Sequence, residues 1–564
     1  MSNRSLAAFY IGNFKAFSQT QRVPLKPITL VFGPNSAGKS SFIQSLALAH
    51  EASRLPDRTL DIHHTQIGGR AIELGGFRQY VHRRDVSREV TWGAELNVAK
   101  LDPDLAQYCG DAKLISYQVN FGVLRDDENR AEAYPVPNLI IICADGVEWL
   151  RFARRRLPGK GSQLFLASLN PQHPIIGQLI RAHLADHVSG DIAAAIDGCL
   201  PRINAISACL FLSVIAPKPR IARANPETGH DQSRIGDVVH DVLPQELAGF
   251  VNGLVNHIKS ELARLQYLGP LRSLPPRHIA FAERDDTDWF AGGGFAWDVV
   301  RKNEQVRAGV NAWLGSSKLK TPYQLKVRSF IALDQTKAPI IKGLIDLFGQ
   351  SGKNSDPEEV LKNQRSALVP ADQEDDELAD VVYGAFPDQQ DLEEQSNWLV
   401  EKMAAAQTDT IDELVLVDQR NNTVVSHCDV GTGISQVLPV LVMAYGSYRK
   451  LLAIEQPEIH LHPALQAELG DVFIETALGE GQNTVILETH SEHLVLRLLR
   501  RIRETSDGEL PQGMRPLTPA DVCVIYVQPD GTGSKAIEID ITDDGDFVQK
   551  WPDGFFAERA GELF

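Results

Sequence analysis

Short apolar runs closed by glycine or charged residues crowd the two ends of this chain, and a long polar stretch separates them. Near the start, LAAFYIGNF (residues 6–14) and Ile28 to Phe32 read as strands. SFIQSLALAHEASRL (41–55) has the repeat of an amphipathic helix, and ELGGFRQYV (73–81) reads as a further strand. From about Ser116 to Ile215 the strand-like runs YQVNFGVL, NLIIICA and EWLRFA give way to mixed helical pattern. From about Lys318 the chain turns polar and reaches the acidic run Asp372-Gln373-Glu374-Asp375-Asp376-Glu377, flanked by helix-like KGLIDLFGQ and NWLVEKMAAA. A run of carboxylates of this kind is a solvated loop or face, and no chemistry is assigned to it. After about Thr410 strands and helices alternate: LVLVD, SQVLPVLVMAYGSY, KLLAIE, PALQAELGDVFIETA, TVILET, HLVLRLLRRI and VCVIYV. That alternation predicts a mainly parallel sheet covered by helices. No repeat of fixed period and no heptads run through the middle, so long coiled-coil arms are not expected.

Between the strand Ile28 to Phe32 and the helix that opens at Ser41 lie Gly33, Pro34, Asn35, Ser36, Ala37, Gly38, Lys39 and Ser40, a full match to GxxxxGK[ST]. A loop of this composition closes backbone N–H groups around β- and γ-phosphates. Its lysine ammonium reaches the same oxygens, and the Ser40 hydroxyl can ligate Mg²⁺. Strand before and helix after give the motif its context, and nucleotide binding is expected, with Ser41 at the helix start included in the cradle.

Composition narrows the remaining options. The 564 residues allow two or more structural units. With 73 acidic against 56 basic residues the net charge is −17, which argues against a surface coated for phosphate and leaves room only for a local basic groove. Cys109, Cys143, Cys199, Cys209, Cys428 and Cys523 form no CxxC pair, a usage that fits free thiols in a reducing compartment. The apolar stretches are too short for a bilayer span, and the first residues lack the layout of a signal peptide. A soluble, cytoplasmic protein is expected.

Phosphoryl transfer also needs a metal-holding acid at a strand end, a group that orients water and a sensor of the γ-phosphate. Leu451 to Ile454 run into Glu455-Gln456-Pro457-Glu458-Ile459-His460-Leu461-His462-Pro463, and Val485 to Leu487 run into Glu488-Thr489-His490-Ser491. His460 and His462 with Glu458 nearby also have the spacing of a metal site.

Taken together, NFKAF, GPNSAGKSS, YLGPLR (267–272), VGTGISQVLPVLV, IEQPEIHLHP, ETHSEHL and the tail WPDGFF (551–556) resemble the ABC-type head ATPases of the RecF, SMC and OLD group, in the branch of prokaryotic AAA-family ATPases. The resemblance covers most of the N-terminal block and all of the C-terminal one. It implies an α/β fold, an ABC-type ATPase head with a mainly parallel sheet plus an antiparallel β lobe, interrupted by a mixed and helical insertion. The expected domains are an N-terminal lobe at 1–125, an inserted region at 126–400 and a C-terminal lobe at 401–564.

Carried over by position, Glu455 resembles the Walker B acid that holds Mg²⁺, and Gln456 stands where a water-polarising glutamate is usual. Glutamine orients water but accepts no proton, so slow turnover and a long-lived ATP state are expected, with Glu458 taking over part of that role. His490 resembles the switch histidine. Leu461-His462 falls at the D-loop, which competes with the metal reading. Gly431, Thr432, Gly433 and Ser435 resemble the signature loop that completes the site of an opposite subunit, in wording unlike LSGGQ. Gln79 is a Q-loop candidate and metal contact, Phe14 or Phe17 are candidates to stack on adenine, and Arg272 could meet phosphate or lock the lobes.

The cofactors implied are ATP and Mg²⁺. The resemblance further implies a homodimer or higher homo-oligomer closed by ATP-bound heads, an ATP-gated sensor or clamp of an anti-phage system resembling Septu-type ATPases, acting with a separately encoded nuclease or effector, and no membrane. A RecF/SMC-like repair or chromosome ATPase that binds double-stranded DNA through Arg151 to Arg156 or Arg497 to Arg503 is a second reading. An OLD-like intrinsic nuclease is a third; Asp543-Asp544-Gly545-Asp546 supplies its DxD, but the expectation there is a turn before a last helix. A transporter subunit is the least favoured.

Overall fold

The computed structural model describes residues 4–54, 60–125, 131–157, 161–181, 204–208, 210–215, 231–272, 288–315, 321–331, 410–425 and 432–549. The acidic run at 372–377, KGLIDLFGQ, NWLVEKMAAA, Gly431 and the WPDGFF tail lie outside the described residues.

Most of the apolar runs fold into two of the three sheets. One is built from β1 (Leu6–Gly12), β2 (Gln21–Pro24), β4 (Val90–Asn97), β5 (Leu114–Arg125), β6 (Ala131–Ala144), β7 (Val147–Leu157), β8 (Gly161–Leu169), β9 (Asn204–Ala208) and β10 (Phe211–Ile215). Its order is β10-β9-β8-β7-β6-β5-β4-β1-β2, every pair antiparallel, so that β4 to β10 form a meander. The pairing of β5 with β6 runs across residue 125, so the lobe boundary expected there falls inside one sheet. The other sheet comprises β3 (Ile28–Phe32), β11 (Leu265–Leu268), β15 (Leu451–Glu455), β16 (Thr484–Glu488), β17 (Val522–Asp530) and β18 (Gly533–Ile539), in the order β11-β15-β16-β3-β17-β18. It is parallel except for the β17–β18 hairpin. β3, β15 and β16 are buried at every position, as parallel strands covered on both faces should be.

Helix α1 (Ser40–Arg54) joins the two sheets. Its Phe42 ring stacks on Phe17 at 4.7 Å and meets Phe9 of β1 edge-on at 6.1 Å. Phe42 belongs to one apolar cluster that runs from Leu6 through Ile142 to Ile486 and Ile525. The expected strand at 73–81 is instead a turn and a short helix, α2 (Phe77–Tyr80). Gly75 and Gly76 both take positive φ, and the Asp61 carboxylate accepts the Phe77 N–H at 2.7 Å, so the chain bends where its apolar pattern alone suggested extension. A helix of 32 residues, α3 (Asp231–Leu262), packs on β10, where the Asn252 amide bonds both N–H and C=O of Val214. Three further helices cover the parallel sheet: α4 (Thr432–Gly446), α5 (Pro463–Leu478) and α6 (Glu492–Ser506).

By contact density the chain divides into two units, and everything above belongs to the larger. The smaller comprises 278–282 and 325–417; in its described residues β12 (Tyr323–Ile331) and β13 (Thr410–Asp418) lie side by side, with Arg328 paired to Glu413 at 2.7 Å. β14 (Thr423–Val425) follows in the chain. Among the described residues no helix is long and apolar enough to cross a membrane.

Candidate nucleotide site

The loop from Gly33 to Ser40 leaves the C-terminal end of β3 and enters α1, and its path depends on two glycines. Gly33 has φ +144° and Gly38 φ +99°. A side chain at Gly33 would strike the Val527 carbonyl, and one at Gly38 would strike Ala16. The loop is braced from outside as well: Ser534 donates its hydroxyl to the Ala37 carbonyl at 2.6 Å and its N–H to Ala16 at 2.8 Å. The Lys39 ammonium donates to the carbonyls of Gly33 at 3.1 Å and Pro34 at 3.0 Å.

β3, β16 and β15 lie side by side and parallel, so their C-terminal ends open on the edge that carries this loop. Register sets Val31 beside Glu488, and Glu488 beside Glu455. Ser40 hydrogen-bonds the Glu488 carboxylate. Tyr267 donates its hydroxyl to Glu455 Oε1 at 3.2 Å, and the Arg272 guanidinium donates to the carbonyls of Glu455 at 3.0 Å and Gln456 at 3.1 Å. Gln456 takes a left-handed conformation, φ +47°, and its N–H donates to the Glu488 carbonyl at 2.7 Å. The His490 N–H donates to Glu458 Oε1 at 2.7 Å. Lys39, Ser40, Glu455, Gln456, Glu458, Glu488 and His490 are thus brought to one sheet edge from segments more than four hundred residues apart along the chain.

Burial governs the charges here. It pushes Glu455 up from the ordinary carboxylate range, with the Glu488 charge adding to the shift, and it raises Glu488 and Glu458 as well. It lowers Lys39, which the carboxylates of Glu488 and Glu455 oppose, and lowers His490, to which Lys39 contributes. Arg272 falls to about 10 for the same reason. Glu488 Oε2, Glu458 Oε2 and the Nε and Nη1 of Arg272 are buried without a hydrogen-bond partner. Carboxylate oxygens that lack a donor, and a guanidinium with two of its three nitrogens lacking an acceptor, fit a phosphate accompanied by a divalent cation.

Several expected contacts have other uses. Phe14 lies against Tyr80 at 5.5 Å and Phe17 on Phe42, both rings fully buried, so neither offers a face to adenine. Gln79 is exposed on α2 and packs against Gly75; the next residue, Tyr80, holds the Lys15 N–H through its carbonyl at 2.7 Å. His462 caps α5, its Nδ1 accepting the Ala464 N–H at 3.3 Å, and His460 is exposed with φ +63°. Thr432 and Gly433 open α4, and Gly433 approaches the His460 carbonyl so closely that a Cβ would lie 2.9 Å from it; Ser435 is buried one turn in. Asp543 to Asp546 form a turn closed by the Thr542–Asp546 hydrogen bonds, and Asp546 pairs with Arg503. Arg497, Arg500 and Arg501 pair with Glu468, Asp471 and Glu504, which leaves that cluster neutralised. On β7, Arg151 pairs with Glu148, while Arg155 and Arg156 are exposed.

Two residues without an assigned role from sequence stand at this edge. Glu488 closes an apolar strand as Glu455 does, a signal visible in TVILE. Lys15, in NFKAF, has φ +47° and an ammonium that burial pulls down and the Glu455 charge holds up; only the fold joins them.

Residues 325–495 match the family model described as an AAA ATPase domain, a stretch that holds Glu455, Gln456, Glu488 and His490 but not the Gly33 to Ser40 loop. Among curated proteins no relative matches the chain. Similar solved structures include an Smc head bound to the C-terminal winged-helix domain of ScpA (9% identity, 95% of this chain and 98% of that one, TM-score 0.32). Two others are an Smc head with an extended coiled coil bound to the C-terminal domain of ScpA from Pyrococcus furiosus (10%, 95% and 96%, 0.32) and the SMC head domain of Thermotoga maritima (7%, 95% and 100%, 0.31). Likeness at that level is too loose to place individual residues. The family match and the chain's own motifs agree in kind: residues 325–495 are similar to an AAA ATPase domain, and the Gly33 to Ser40 loop that precedes them in the chain is of the kind such a domain needs to bind a nucleotide.

Proposed function

We propose that the protein binds ATP with Mg²⁺, hydrolyses it slowly, and uses the bound state to hold two copies together. The observation that carries this is the meeting of Lys39 and Ser40 with Glu455, Glu488 and His490 at one strand edge, with a glutamine directly after Glu455. In this reading the backbone from Gly33 through Ser41, with Asn35, Ser36 and Ala37 between the glycines, cradles the phosphates together with Lys39. Ser40 and Glu455 would hold the cation, whose positive charge would offset that of the phosphates. Gln456 orients a water by hydrogen bonding. Glu458, which has one oxygen without a partner, takes the proton that glutamine cannot. His490 reads the γ-phosphate.

The dimer rests on a helix N-terminus. Thr432, Gly433 and Ser435 open α4, and the turn at His460 abuts Gly433, so signature-like and D-loop-like segments make one face for a second copy's nucleotide. The output is a separately encoded effector, a nuclease in an anti-phage setting, by resemblance of the motif set. The internal pairing of Arg497 to Arg501 favours a protein effector over a duplex clamp.

Mass photometry of wild type and Lys39→Ala with and without ATP tests the reading. ATP-dependent dimers in wild type alone are expected; monomers in every state sink it. Steeply salt-dependent binding of double-stranded DNA that requires ATP would replace the effector reading with the clamp.

A further inference from the structure

β16 lies between β3 and β15, so the acid at its end stands one strand spacing, about 4.8 Å, nearer to the P-loop than Glu455 does. That acid is Glu488. It is 6% exposed, accepts a hydrogen bond from Ser40, sits in register beside Glu455, and keeps Oε2 without any partner. Two carboxylates side by side in a buried place are costly unless positive charge joins them. Lys39 does not pair with either, because its ammonium is bonded to Gly33 and Pro34. An oxygen that is desolvated, unpaired and adjacent to the hydroxyl of the cation-binding serine has the properties of a ligand awaiting a divalent ion.

We propose that Glu488 is a direct carboxylate ligand of the Mg²⁺ that accompanies ATP, with Ser40 as its neighbour and Glu455 as the more distant acid. This rests on the ATPase reading and adds to it a residue that reads as the last position of an ordinary strand. Glu488 fixes the ion from the P-loop side, so cation affinity depends on it more than nucleotide affinity does.

The test uses the full chain and two probes. Metal-free nucleotide binding is measured with mant-ATP in EDTA, and cation binding with Mn²⁺ by electron paramagnetic resonance on the protein–AMP-PNP complex. Glu488→Gln should weaken Mn²⁺ binding by about tenfold or more while mant-ATP binding in EDTA stays within about twofold or tightens. Glu488→Asp keeps the charge on a shorter arm and should give an intermediate loss, which stays readable if the amide variant does not fold. Unchanged Mn²⁺ affinity in both variants overturns the role of Glu488 alone. Wild type that fails to bind mant-ATP, or binds it no better than Lys39→Ala, overturns the nucleotide reading and the Glu488 role with it.

Discussion

A buried glutamate stands in each of the two sheets, and their surroundings differ. In the antiparallel sheet Glu95 accepts the Tyr10 hydroxyl at 2.5 Å and is paired with Arg22. At the edge of the parallel sheet Glu488 has a serine on one oxygen, nothing on the other and a second carboxylate beside it. The first glutamate is satisfied by the protein itself. The second is arranged for something the protein does not supply. Strand direction explains why. Antiparallel neighbours interleave their ends along the whole sheet, so polar groups find partners across a strand pair. Parallel strands gather all their C-terminal ends on one edge, where loops of different origin converge and polar groups can be left facing a ligand.

Ways of breaking this comparison differ in size. Phe42 is the ring that α1 sets between the sheets, and Phe42→Ala should cost about 3–5 kcal/mol in urea melts, with both sheets unfolding together. Separate transitions would show that the shared cluster does not couple them. Gly38→Val attacks the loop and leaves the antiparallel sheet alone. With φ +99° and Ala16 in the way, it should lower mant-ATP affinity by at least about a thousandfold, near 4 kcal/mol, and shift melting little.

His50 on α1 gives the effect of pH. Burial lowers its pKa from 6.5 to about 4, with Arg54 adding, so the unfolded chain takes up a proton that the folded protein refuses. Stability from neutral His50 is present above about pH 6.5 and is lost as pH falls toward 4, by up to about 3 kcal/mol. His50→Leu should flatten that limb of the stability–pH curve; an unchanged slope would assign it to other groups.

The sharpest version is a pair of isosteric changes with opposite signs. Glu95→Gln weakens a partly exposed pair with Arg22 and should destabilise by about 1 kcal/mol. Glu488→Gln removes a buried like charge and should stabilise the protein in EDTA by about 1 kcal/mol. Destabilisation by both would make Glu488 a structural residue like Glu95.

Much of this edge was legible in the chain. Strand Ile28 to Phe32 and the helix after it follow from apolar pattern, and LLAIE and TVILE read as strands because five apolar or boundary residues in a row fit a parallel sheet covered on both sides. At 73–81 periodicity weighs Phe77 and Tyr80 but not the backbone freedom of Gly75-Gly76, so it predicts a strand where the chain turns into α2. Phe14 and Phe17 were candidates for adenine because aromatic residues near a P-loop suggest stacking; burial against Tyr80 and Phe42 is a tertiary fact. Glu488 and Lys15 escaped for a related reason. Register between β16 and β15 is set by a crossover through α5, and residue 15 comes under the charge of residue 455 from more than four hundred residues away along the chain, relations which no local pattern encodes. The arginines at 497–503 looked like a phosphate-binding patch until their acid partners on α5 and α6 appeared beside them.

The central claim is that this edge hydrolyses ATP under a brake set by Gln456. Turnover of ATP by the wild type beside Lys39→Ala and Gln456→Glu, with Mg²⁺ present, tests it most directly. The account predicts slow turnover in wild type, none above background in Lys39→Ala, and a rise of about tenfold or more in Gln456→Glu, where a carboxylate can accept the proton. Equal turnover in wild type and Lys39→Ala, or a fall in Gln456→Glu, would contradict it.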